Sequence, residues 1–355
     1  MTIENLIQKN LRSTYEAARV VKMKLRDKFV VWSDIHLGDG SRRDDFRRNA
    51  DLFLTVLRHY YAKQYKLILN GDIEELLKFK YPVIRERWSE VFDLFGKFAS
   101  AGRLLKLEGN HDPAEWLREE KDYPFKLLPA LRLKTDSGEI FLLHGHQSDT
   151  IYYFFPKLIV WLLRRFVFPL GIMNYTVAYD SRKQYLTEKR IYDFSRKNGL
   201  ITLIGHTHRP LFESRTKLET IHAKIEELCR AYHRAKDPTG RNKIIATVKK
   251  YKTLLAFERR SSQGKLRLVD SVYGDSLPVP CLFNSGSVIG RSGITCLELK
   301  KGKIFLVYWA DARRTKKTTE FNPYKPIRFL NEHYFKFILR REKIDYLFSR
   351  IRLLG

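Results

Sequence analysis

Cysteine is scarce in this chain. Cys229, Cys281 and Cys296 are the three in 355 residues. They are odd in number and widely spaced, which excludes a disulfide framework and a CxxC zinc site and fits a reducing, cytoplasmic setting. Acidic residues are in deficit: 40 Asp and Glu against 67 Lys and Arg leave a formal charge of +27. So basic a balance argues for an anionic partner, whether nucleic acid, an acidic membrane surface or a phosphorylated substrate. An uninterrupted apolar run long enough to cross a bilayer is also missing. The most lipophilic stretch, IYYFFPKLIVWLLRRFVFPLGIM at 151–173, is broken by Pro156, Lys157, Arg164, Arg165 and Pro169. That disfavours a membrane span and leaves peripheral contact with an anionic membrane open. Residues 1–28 are mixed and charged, without the apolar core of a secretory leader. Neither an internal repeat nor a low-complexity tract is present.

What the chain does have is a series of short apolar runs, each ending in polar residues: KFVVWSDIH (28–36), KLILNGD (66–72), RLLKLEGNHD (103–112), EIFLLHGH (139–146) and LITLIGHTH (200–208). Runs of four to six apolar residues bounded by Gly, Asp and Asn fit buried strands better than helices. Residues 45–63 and 84–99 carry helical periodicity between them. The alternation predicts an α/β domain over 28–310 whose strand ends deliver loops to one edge of a sheet. VPCLFNSGSVI, SGITCLELK and GKIFLVYWA then read as antiparallel strands completing a second sheet. Two excursions interrupt this plan. Residues 150–198 read as a helical lid. Residues 214–262 read as a helical hairpin, with Ile221, Ile225, Leu228 and Tyr232 before a DPTG turn (237–240) and Ile244, Val248, Tyr251 and Leu255 after it. A basic N-terminal helix (1–27) precedes the domain. A basic extension (311–355) follows, with an amphipathic helix expected at about 330–351.

One His beside an apolar run is more often a packed or turn residue than a ligand. Five strand ends that all carry such groups point elsewhere: they supply Asp34, His36, Asp72, Asn110, His111, His144, His146, His206 and His208. The ordered series DxH, GDx, GNHD, HGH and GHTH resembles the calcineurin-like metallophosphoesterases, and FNSGSV (283–288) resembles the NxGS turn of many members. The resemblance implies a four-layer, metallophosphoesterase-type α/β sandwich of sheets flanked by helices, here with the lid and hairpin inserted. It also implies two divalent metal ions, manganese first, with zinc or iron as the other choices that these mixed ligands suit. Asp34, His36 and His208 would bind one ion, Asn110, His144 and His206 the other, and Asp72 both. Alternate residues leaving an extended strand project to one side, which would let His206 and His208 reach different ions. A hydroxide bridging the ions would attack phosphorus. His111 would serve as general acid, oriented by Asp34 or Asp112, with His146 behind the ligands rather than among them. Arg209, Arg182 and Lys183 are candidate substrate contacts.

The aromatic and then basic segment between HGH and GHTH also resembles the lid of the UDP-2,3-diacylglucosamine hydrolases. That implies an anionic phosphoester or pyrophosphate, with a lipid-linked substrate as one class. A nuclease or nucleotide phosphodiesterase is the first rival, favoured by the net charge and by Lys249, Lys250 and Lys252. A serine/threonine protein phosphatase shares the same metal core. A non-catalytic scaffold on the same fold is the rival of another kind, and it fits least because every expected ligand position is filled. Oligomeric state is not legible from these patterns.

Overall fold

A computed structural model describes residues 2–149, 181–214, 217–235, 237–263, 278–291, 293–314 and 328–355. The N-terminal part runs α1 (Ile3–Ala17), β1 (Arg19–Lys22), β2 (Lys28–Trp32), α2 (Ala50–Ala62), β3 (Lys66–Asn70), α3 (Tyr81–Arg87), α4 (Ser89–Ser100) and β4 (Leu104–Leu107). The middle follows as α5 (Ala114–Glu119), β5 (Leu127–Leu128), β6 (Leu131–Lys134), β7 (Glu139–Leu142), α6 (Ser181–Lys197) and β8 (Ile201–Ile204). Last come α7 (Lys217–Arg234), α8 (Pro238–Gln263), β9 (Leu282–Asn284), β10 (Ile294–Lys300), β11 (Lys303–Asp311), β12 (Arg328–Phe329), β13 (Tyr334–Lys343) and α9 (Ile344–Leu354). The strands form two mixed sheets, one of eight in the order β12-β13-β11-β10-β2-β3-β4-β5 and one of five in the order β1-β6-β7-β8-β9.

Side chains that alternate between the two faces of each strand explain the layering. Phe29 and Val31 of β2, with Ile68 of β3, turn inward and meet Ile140 and Leu142 of β7 and Ile201 and Leu203 of β8. Val30 and Trp32, with Leu67 and Leu69, turn outward under Phe53, Leu57, Phe95 and Phe98 of α2 and α4. Strands buried on both faces read as continuous apolar runs, which is why they were visible in the sequence. The smaller sheet is covered by α1 and α6, whose residues Ile7, Leu11, Ile191 and Phe194 join the inner core. Arg190 of α6 also pairs with Glu4 of α1 at 2.9 Å. The result is a mixed α/β sandwich, two sheets flanked by helices. Among the described residues, no helix is long and apolar enough to cross a membrane.

The structure differs from the sequence expectation in four places. The polar strand ends come from both sheets, not from one: β2, β3 and β4 belong to the larger, β7 and β8 to the smaller. The late strands do not build a separate sheet. β10 and β11 extend the larger sheet antiparallel to β2, while β9 runs parallel to β8 in the smaller. The N-terminal segment is not only a helix, since β1 leaves α1 and pairs in parallel with β6. The helix expected near 330–351 is strand β13 up to Lys343, antiparallel to β11, and only then α9. Its run YFKFIL places Tyr334, Phe335 and Phe337 all in buried positions, so both faces of a strand are filled, a pattern that mimics helical spacing over a short window. The hairpin is present as α7 and α8. Ile221, Leu228 and Ile244 are buried, and at the turn the Asp237 carboxylate accepts the backbone N–H of Gly240. The lid's apolar run 151–173 lies outside the described residues, and α6 is the part of that segment that is described.

Candidate metal centre

Six strand ends open toward one another where the two sheets face. Asp34 and His36 follow β2, Asp72 follows β3, Asn110, His111 and Asp112 follow β4, His144 and His146 follow β7, and His206 and His208 follow β8. Asn284 follows β9, its side chain donating to Gly205 C=O at 2.8 Å and to Thr207 Oγ1 at 2.9 Å. The FNSGSV turn thus clamps the GHTH loop.

Close approach is built in at the glycines. A Cβ on Gly205 would sit 2.6 Å from Asp34 Oδ2, and one on Gly109 would sit 2.2 Å from Asp72 Oδ1. The positions expected to ligate are themselves strained: Asp34, His36, Asp72, His206 and His208 all have φ between 52 and 65°. Each such left-handed residue costs of order 1–3 kcal/mol, and such strain gathers at functional sites. This corrects the picture of alternate side chains on an extended strand, because β8 ends at Ile204 and both histidines sit on left-handed backbone beyond it.

Three groups of side chains have ligand atoms mutually within 4.8 Å: Asp34, His36 and His208; His36, Asp72 and His111; and Asp72, His144 and His206. His208 Nε2 lies 3.1 Å from Asp34 Oδ1 and 3.1 Å from His36 Nε2. His144 Nε2 lies 3.1 Å from Asp72 Oδ2. His36 and Asp72 each belong to two groups, and of the two only Asp72 carries a second ligand oxygen on the same side-chain head. Asn110 is 7% exposed at the end of β4, beside these groups in the chain. His146 stands behind them, its ring 5.6 Å from that of His144, and burial together with His144 and His206 pushes its pKa down to about 3.

Hydrogen bonds aim the lone pairs. His144 donates Nδ1–H to Asn70 C=O at 2.8 Å, which turns its buried Nε2 toward Asp72 Oδ2, 3.1 Å away. Glu75 accepts from both His36 Nδ1 (3.0 Å) and His111 Nδ1 (2.8 Å), so both Nε2 atoms face the cavity. His206 Nε2 is held by Asp149 Oδ2 at 2.9 Å, which leaves its Nδ1 for the interior. Acceptors that converge on carboxylates at about 3 Å repel each other unless a cation or proton lies among them, so this donor set fits divalent metal ions. The electrostatics agree. Burial works against the Asp72 and Asp34 carboxylates, yet neighbouring histidines hold Asp72 well below the usual range and Asp34 below it. Burial opposes the imidazolium of His144 too, but Asp72 and Asp34 push it up to about 10.

The structure reassigns several expected roles. The partner of His111 is Glu75, not Asp34 or Asp112. Asp34 accepts the backbone N–H of His206 at 3.0 and 3.1 Å. Asp112 is fully buried and clamps two ligand loops, accepting N–H of Asp72 and Gly109 on Oδ1 and N–H of Ile73 on Oδ2. Its Oδ2 also accepts from the buried ammonium of Lys106 at 3.0 Å, which reaches Glu74 at 2.6 Å as well. Arg209 makes a two-point ion pair with Glu188 of α6 rather than facing the cavity alone. Arg182 and Lys183 are exposed at the start of α6. His111 Nε2 is 3.8 Å from Asp72 Oδ2, as close as the 3.9 Å of His36, so distance alone permits it to ligate.

The family described as calcineurin-like phosphoesterase matches residues 27–210. No curated protein matches. Among solved structures, a single mutant of Vps29 from Entamoeba histolytica is similar at 12% identity and a TM-score of 0.32, over 80% of this chain and 93% of that one. So distant a likeness bears no weight here.

Proposed function

We propose, from the premise that the chain belongs to the calcineurin-like phosphoesterase family, that it hydrolyses an anionic phosphoester or pyrophosphate at a centre of two divalent metal ions. The observation that carries this reading is a chain of three ligand groups, with His36 common to the first two (Asp34, His36, His208 and His36, Asp72, His111) and Asp72 common to the second and third (Asp72, His144, His206). Asp34, His36, Asp72 and His208 would hold one ion; Asp72, Asn110, His144 and His206 the other. Bound there, two divalent ions supply Lewis-acid charge to a phosphoryl group and lower the pKa of a water. Manganese is the first choice, with zinc and iron compatible with the same donors.

The protein's own groups do the rest. Glu75 anchors His111 through Nδ1, so its protonated Nε2 points into the cavity and can donate to a leaving oxygen. Glu75 and Asp72 outweigh burial and push that imidazolium up to about 9, which keeps the proton available at neutral pH. Asp112, braced by Lys106, holds the loops of Asp72 and Gly109 in register.

A lipid-linked substrate is our leading class, supported by the net charge of +27 and by the apolar, aromatic composition of 151–173. Nucleic acid is the second reading, because α8 carries Arg241, Lys243, Lys249, Lys250 and Lys252 and no acidic residue before Glu258. The test is a metal-supplemented panel of lipid pyrophosphates, nucleotides, single-stranded DNA and phosphopeptides, run with the wild type and Asp72→Asn. Hydrolysis that needs added metal and is lost in the variant supports the reading. Equal turnover by both proteins refutes it.

A further inference from the structure

Thr207, the residue between the two loop histidines, is fully buried, and its hydroxyl and carbonyl are held from outside the loop. Its hydroxyl donates to Glu188 Oε1 at 2.9 Å, and its carbonyl accepts from Gln184 Nε2 at 3.0 Å. Thr187 donates to Asp149 Oδ1 at 3.0 Å, and the other oxygen of Asp149 holds His206 Nε2. Gln184, Thr187 and Glu188 stand at i, i+3 and i+4, so a single face of α6 holds Thr207 directly and His206 through Asp149. Glu188 is 2% exposed, and its remaining oxygen is engaged by Arg209. A buried carboxylate needs such partners to stay charged. Here those partners are the residues between and immediately after His206 and His208, both on left-handed backbone that the surroundings must enforce.

We propose that α6 is a positioning element for the metal centre and that Glu188 acts through Thr207 to set His206 and His208 in ligating geometry. The proposal rests on reading the site as a metal centre. α6 is thereby tied mechanically to the loop that carries both histidines.

Two measurements on the full-length protein test it. In the chelated protein, the imidazole nitrogen resonances of His206 and His208 shift in Glu188→Ala and stay near wild type in Glu188→Gln, whose amide oxygen still accepts from Thr207. In manganese titrations, Glu188→Ala weakens binding about 10–100-fold, as loss of an outer support does, while Glu188→Gln stays within about threefold. Thr207→Val reproduces the alanine effect. The double variant is no weaker than the poorer single one, because both sever the same link. Unmoved histidine resonances in Glu188→Ala overturn the proposal, as does additivity in the double variant or a melting-temperature loss without a change in affinity. Should the wild type bind no cation, the metal-centre reading fails, and the resonances of the chelated protein still decide whether Glu188 positions the loop.

Discussion

Glu75→Gln is the most informative single substitution. Its carboxylate stands between two imidazoles, 3.0 Å from His36 Nδ1 and 2.8 Å from His111 Nδ1. Burial opposes charge on both rings. At His111, Glu75 and Asp72 prevail and raise the pKa from 6.5 to about 9; at His36, burial prevails and the value falls. The rise at His111 amounts to about 3 kcal/mol of preference for the imidazolium, at about 1.4 kcal/mol per pH step. A glutamine keeps one acceptor, turns its NH2 toward the other N–H and removes the charge. Because the folded value lies above the unfolded one, the stabilisation is fully present below pH 6.5 and disappears as pH rises through about 9. The assay is imidazole NMR on chelated protein, with urea unfolding at pH 6 and pH 9.5. Wild-type His111 is expected to titrate near 9, and Glu75→Gln to lower that value, because burial is then opposed by Asp72 alone. The stability gap between the two proteins should be wide at pH 6 and narrow at pH 9.5. A wild-type His111 that titrates at or below 6.5, or a gap that widens with pH, refutes the reasoning.

His111→Ala should keep the wild-type metal content by elemental analysis while turnover falls about 10²–10⁴-fold, most for poor leaving groups. Loss of metal would make His111 a ligand instead. Lys106→Met leaves Glu74 and Asp112 buried without their cation, a change expected to cost about 3–5 kcal/mol in urea unfolding. A cost below about 1 kcal/mol would show that water or relaxation replaces the ammonium.

Much of the site was legible because strands buried on both faces announce themselves as apolar runs, and the residues just past them are few. Metal-type side chains at five such positions were therefore easy to group. Their supports were not. Glu74 and Glu75 are adjacent and alike in sequence, yet one meets Lys106 in the core and the other anchors two histidines. The choice follows from the backbone after Asp72, which no pattern displays. Asp112 was visible but misassigned, since its task is to accept three backbone N–H groups. Asp149 and Glu188 lie outside any motif and become relevant only when α6 docks on the loop. β13 was misread because a strand filled on both faces and a short amphipathic helix share the same apolar count. Tertiary pairing with β11 decides between them.

The left-handed backbone at Asp34, His36, Asp72, His206 and His208 also governs how the centre can be dissected. Valine, isoleucine or threonine at any of these positions would fail sterically before its missing chemistry mattered, and a dead variant of that kind would teach nothing about catalysis. Glycine is at ease there. A protein carrying His208→Gly would shed both a donor atom and a conformational burden, so it is expected to hold metal less tightly while relieving its backbone. At this centre, toughness and competence pull in opposite directions at the same five peptide units.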